Sequence, residues 1–189
     1  MPELRKIAGR HECLPLSDVH ALLLSKYHEE RLTALLIIVL KFGRGNEKEK
    51  GKIYHFYLKN TSYVNNWDLV DLSAAQIVGA YLFEREKSRL YCLAKSKMLW
   101  ERRIAIVATF HFIKHGRMDE TMKIARMLLR DEADLIHKAA GWMLREVGKR
   151  DLSVEENFLR KYFRIMPRTT LRYAIERFPE TKRRSYLQK

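Results

Sequence analysis

Segments spaced 34 to 36 residues apart resemble one another along this chain. A fixed period of that length constrains the fold more than any other feature, because each repeat must be one supersecondary unit that buries its apolar face on its neighbours. The segments are His28–Leu35, Leu99–Ile106, Leu135–Trp142 and Thr169–Glu176, and each sets a basic residue, Arg31, Arg103, Lys138 or Arg172, just before a small and apolar helical run. The steps are 72, 35 and 34, and half of the first falls on Trp67 in Asn66-Trp67-Asp68-Leu69-Val70-Asp71. Five units result.

Composition agrees with helices. Eight Gly and four Pro in 189 residues cannot punctuate the many short strands of a sandwich or barrel. A content of 47% apolar residues excludes a disordered chain. Further helices are expected between the repeat segments over Asp18–Ser25, Glu47–Lys59, Glu84–Lys95, Met118–Arg130 and Ser153–Phe163, with Pro167 at a first helical position. Two helices per unit, stacked in a row, predict an all-α solenoid of HEAT-like repeats forming a single domain over residues 1–189. The tetratricopeptide pattern Trp-x-x-Leu-Gly-x-x-Tyr is absent, which favours the HEAT-like form.

Residues four apart share a helix face, so the register pairs are Arg31/Leu35, Trp67/Asp71, Arg103/Val107, Lys138/Trp142 and Arg172/Glu176. A stripe rich in Arg, Lys, Trp and Asp is a poor core and a plausible binding surface lining a concave basic groove. Lys+Arg 37 against Asp+Glu 23 leaves a formal charge of +14, and residues 145–189 alone carry 13 Lys/Arg against 6 Asp/Glu. A basic groove interleaved with aromatics suits a polyanion, because each cation set against a phosphate releases a condensed counterion. Against this stands the plainer reading of a solvated basic surface. Cys13 and Cys92 stand alone, and no secretory leader or membrane-length apolar run is legible, so a reducing, cytoplasmic, nucleoid-associated location is expected. His111 and His115 share a helix face but have no third ligand beside them, so no metal site is expected.

The stretches Asn66–Asp71, Trp100–Ile106, Ile136–Glu146 and Met166–Glu176 together resemble the AlkD-type DNA alkylation repair glycosylases, along essentially the whole chain. That resemblance implies a C-shaped stack of HEAT-like repeats that holds damaged duplex DNA and removes N3- or N7-alkylated purines, as a monomer and without metal or cofactor. By position it makes Asp71 the catalytic carboxylate, Trp67 and Trp142 the aromatics flanking the deoxyribose of the lesion, and Arg103 the arginine beside the scissile nucleotide. Arg31, Lys138, Arg168 and Arg172 are the expected phosphate contacts. It also implies that helices present before this stretch in other members are missing here.

The chemistry suits these residue types. A purine alkylated at N3 or N7 is cationic and already activated as a leaving group, so a fixed negative charge near C1′ and an aromatic face for the cationic sugar are what help. Trp100 is expected to pack, and Arg145 and Glu146 to pair between repeats. Two other functions are compatible with the residues: a HEAT-like module that grips damaged or branched DNA without excision, and a protein-interaction solenoid with an acidic partner.

Overall fold

The structure, a computed structural model, describes residues 2–188, and among them every regular element is helical. In chain order the α-helices are α1 (Pro2–Arg10), α2 (Leu16–Leu23), α3 (His28–Arg44), α4 (Glu47–Lys59), α5 (Trp67–Asp71), α6 (Ala80–Leu82), α7 (Ser88–Ala94), α8 (Leu99–Lys114), α9 (Asp119–Met127), α10 (Asp134–Gly148), α11 (Leu152–Tyr162), α12 (Arg168–Ala174) and α13 (Glu180–Leu187). Five two-helix repeats follow: α2/α3, α4/α5, α7/α8, α9/α10 and α11/α12.

The chain divides into two compact units, Met1–Glu86 and Lys87–Lys189, with the division falling between the second and third repeats. In the first, α3 is the central rod against which α1, α2, α4 and α5 pack. Its run Leu32–Ile38 is buried without a gap, as it must be in a helix surrounded on all sides. In the second, α8 and α10 play that part, α10 lying between α8 and α12. Ile104, Ile106, Phe112, Ile136, Met143, Leu144 and Leu171 fill that core.

Close packing of α10 on α12 depends on Gly141. A Cβ at that position would lie 2.5 Å from both the Thr170 carbonyl oxygen and the Tyr173 Cβ, neither of which can swing aside. Gly141→Ala is therefore expected to destabilise the second unit by about 1–3 kcal/mol through overpacking. Gly43→Ala, inside α3 with nothing within 4 Å of the added methyl, should instead stabilise by about 0.5–1 kcal/mol. Urea unfolding of the two variants checks the opposite signs.

Hydrogen bonds reset the repeat register. Arg31 Nη1 donates to the carbonyls of Ser25 and Lys26 at 2.9 and 3.1 Å, and Arg102 Nη1 donates to those of Ser96 and Lys97, each at 3.0 Å. The His137 ring lies 2.5 Å from the Asp131 carbonyl in the same manner. Each of these turns is closed by a side-chain oxygen accepting a backbone N–H two residues on: Ser25 from Tyr27, Ser96 from Met98 and Asp131 from Ala133. Arg31 is thus equivalent to Arg102 and His137, not to Arg103 and Lys138. What repeats is the turn before the second helix, and a match on charge alone slips by one residue. Arg103 and Lys138 share the following position, and the same spacing leads to Tyr173 instead of Arg172. Lys138 lies within electrostatic reach of both Arg103 and Tyr173.

Two local expectations are also corrected. Pro167 is the extended residue before α12, which begins at Arg168, because its ring fixes φ without obliging it to join the helix. The helix expected over Glu84–Lys95 is confined to α7, since Glu84-Arg85-Glu86 offers no apolar residue to anchor a further turn.

Candidate functional site

Asp71 and Trp67 sit at the two ends of α5, a helix of only five residues that could not persist on its own. Its surroundings hold it. The Asn66 side chain accepts the Trp67 backbone N–H at 2.8 Å, and Asp68 Oδ1 accepts that of Leu69 at 2.9 Å. Leu69 and Val70 are fully buried and pin the opposite face. Ser73 Oγ donates to the Leu69 carbonyl at 2.5 Å, a back-bond of the kind that bends helices. Because that bond uses the only hydroxyl hydrogen of Ser73, the buried Tyr57 hydroxyl donates to Ser73 Oγ, 2.9 Å away. Burial raises the Tyr57 pKa above the usual phenol range, and the nearby Asp71 charge pushes in the same direction, so Tyr57 remains a neutral donor. Beyond the bend, Ala75–Gly79 form a π-helical turn before α6. The second helix of this repeat is therefore broken after little more than one turn, whereas α3, α8 and α10 run on for 17, 16 and 15 residues; Trp67 is 54% exposed, one turn from the half-buried Asp71.

A contact not visible in the sequence braces the same helix from α3. His28 Nε2 lies 2.7 Å from Asp68 Oδ2, with both side chains largely enclosed. The two residues are forty positions apart, and no local pattern signals the pairing.

In the second unit, Arg103 is 5% exposed and its Nη1 donates to the Leu135 carbonyl at 2.5 Å, tying α8 to the first turn of α10. Lys138 pairs with Asp134 at 2.8 Å, one turn earlier on α10. The hydrogen bond from Lys138, aided by one from Thr169, holds the Asp134 carboxyl below its ordinary range, and the same pair raises Lys138 above the ordinary lysine value. Trp142 follows Lys138 by one turn; its Nε1–H donates to Glu146 Oε1 at 3.2 Å and its ring packs against Phe110 with centroids 5.8 Å apart. Glu146 also receives Lys149 at 2.5 Å, so it stays within α10, whereas Arg145 reaches Glu176 and does link repeats. Arg168 is exposed and donates to the Leu187 carbonyl at 3.1 Å. Exposed Arg172 makes no hydrogen bond or ion pair among the described residues. Of the expected phosphate contacts, Arg31, Lys138 and Arg168 thus already carry partners.

The rings of His111 and His115 lie 4.4 Å apart. Burial, then the neighbouring His115 and Lys114, push His111 down to about 4, so it is neutral at physiological pH. No group of three or more potential metal-ligating side chains occurs among the described residues, and none of their helices is long and apolar enough to cross a membrane.

The fold is similar to that of a predicted DNA alkylation repair enzyme from Enterococcus faecalis, with a TM-score of 0.71 and 16% identity over 93% of this chain and 82% of that one. It is also similar to smu.31 from Streptococcus mutans UA159, with a TM-score of 0.59 and 18% identity over 85% of this chain and 83% of that one. No curated protein matches the sequence. The sequence itself matches the DNA alkylation repair enzyme family over residues 1–178, and the chain belongs to that family.

Proposed function

We propose that this DNA alkylation repair enzyme is an N-glycosylase that releases cationic N3- or N7-alkylated purines from duplex DNA. The observation that carries the reading is the exposed Trp67 ring one helical turn from the Asp71 carboxylate, on a helix held rigid by its cap, its buried face and the His28–Asp68 contact. In the proposed reaction the bond from C1′ to the purine nitrogen breaks with both electrons going to the base, which leaves uncharged. The sugar becomes oxocarbenium-like, water adds to C1′, and the proton of that water passes to solvent or to Asp71. Asp71 stabilises the developing positive charge by about 3 kcal/mol, and the Trp67 face by a further 0.5 to about 2 kcal/mol. Within the second unit, Trp142, steadied by Glu146 and Phe110, offers an aromatic to nucleic acid and exposed Arg172 a cation to its phosphate backbone, while Arg103 holds α8 against α10.

Such a site leaves a poor leaving group unassisted. Duplex DNA containing 7-methylguanine should release the free base on incubation with the protein, and the same duplex containing uracil should release none or far less. Binding without release of 7-methylguanine would leave a DNA-binding module and remove the glycosylase; efficient uracil release would remove the proposed chemistry.

A further inference from the structure

We infer that α4 presents a second duplex-binding surface, which holds DNA phosphates through Lys48, Lys52 and Lys59. The inference rests on the DNA-binding half of the reading above and is independent of excision.

Positions 48, 52, 55 and 59 follow the i, i+4, i+7, i+11 spacing that lines up on one face of a helix, and all four side chains are exposed. Ile53, Tyr54 and Tyr57 face the core instead. With His55, the three lysines line an open, shallow groove of about 710 Å³ whose floor includes Phe56 and Tyr81. Among the described residues none of the three lysines has an ion pair or hydrogen bond, which sets them apart from Arg31 and Lys138. The one carboxylate in the lining, Glu47, is already compensated: Arg85 reaches it at 2.5 Å and Lys50 at 3.3 Å. The groove therefore carries uncompensated positive charge.

The spread of that charge indicates its partner. From Lys48 to Lys59 the helix rises about 16 Å, which matches the axial span of about five successive phosphates on one strand and is too long for a small anion. Single-stranded bases would need a free aromatic face, and Tyr81 has none. Tyr54 stacks on one side with centroids 4.1 Å apart, and the Arg85 guanidinium covers the other at 4.2 Å. An anionic membrane would need apolar anchors beside the lysines, and none of the large exposed hydrophobic side chains lines this groove. Lysines spread along the helix with no free tyrosine face between them fit the backbone of a duplex, blind to sequence.

The test is the triple variant Lys48→Ala/Lys52→Ala/Lys59→Ala. Its affinity for an undamaged 30-base-pair duplex is measured by fluorescence anisotropy from 0.05 to 0.2 M salt, with its melting temperature as the folding control. Three lost phosphate contacts should make the slope of log K against log salt shallower by about 2–3 and weaken binding on the order of 100-fold near 0.1 M salt. Single-turnover release of 7-methylguanine at saturating protein should be unchanged. A wild-type slope and affinity in the folded variant overturn the inference. So does a variant that keeps duplex binding but no longer sediments with phosphatidylserine-containing vesicles that the wild type binds, since that assigns the face to membranes. Failure of the wild-type protein to release 7-methylguanine would refute the glycosylase while leaving the salt slope to decide this surface.

Discussion

Asp71→Asn is expected to slow single-turnover base release by on the order of a hundredfold or more, equivalent to about 3 kcal/mol, while DNA affinity holds or improves. Asparagine keeps the shape of the side chain and removes the charge that repels the phosphates and stabilises the developing sugar cation. Arg103→Ala should behave differently. Its guanidinium is almost wholly enclosed and donates to the Leu135 carbonyl, so its loss removes a charged hydrogen bond between α8 and α10 worth about 2 kcal/mol. The melting temperature of that variant should fall by roughly 4–8 °C, with weaker DNA binding and slower release following from the loosened helix pair. Thermal melts, anisotropy and single-turnover release on both variants separate the roles. Unchanged release in Asp71→Asn removes the carboxylate from catalysis, and equal losses of stability in both variants reduce the two residues to structural parts.

The second large effect concerns Glu155 and depends on pH. This carboxyl is 2% exposed, where α11 meets the end of α10, and it occupies the space that any side chain at Gly148 would need. Its Oε1 has no hydrogen-bond partner. Desolvation, with help from the adjacent Glu156 charge, pushes it up to about 8 despite the opposing pull of Lys182 and Arg145. A carboxyl whose folded pKa lies above its unfolded value stabilises the fold fully below the unfolded value near 4.5, and that contribution is lost as pH rises through about 8. The gap corresponds to on the order of 4 kcal/mol. Glu155→Gln, neutral at every pH, should match the wild type near pH 4.5 and exceed it progressively to pH 9. Urea unfolding across that range gives the difference directly, and stability curves that stay parallel would show that Glu155 is not buried as an acid.

Repeat length, helical class and the positions of most helices were legible in the sequence because they depend on local properties: apolar spacing, turn residues and the scarcity of Gly and Pro. The motif around Trp67 and Asp71 was legible for the same reason, since four residues of separation on a helix is itself a geometric statement. Contacts across repeats decided the rest. Whether a given Arg faces DNA or closes a turn depends on a carbonyl five or six residues away and on the direction of the preceding chain, so Arg31 and Arg102 became turn braces and Arg103 a buried tie. The break of the second repeat at Ser73 follows from a buried tyrosine that only tertiary packing delivers. His28 and Asp68 meet because α3 and α5 are neighbours, and Glu155 is driven toward its neutral form because α10 and α11 close over it. Sequence alone determined which residues could carry charge and which had to be buried. Tertiary structure decided which charges are spent on the fold and which, such as Arg172 and Lys48, Lys52 and Lys59 of α4, are left for a partner, because ion pairing and desolvation are properties of neighbours in space.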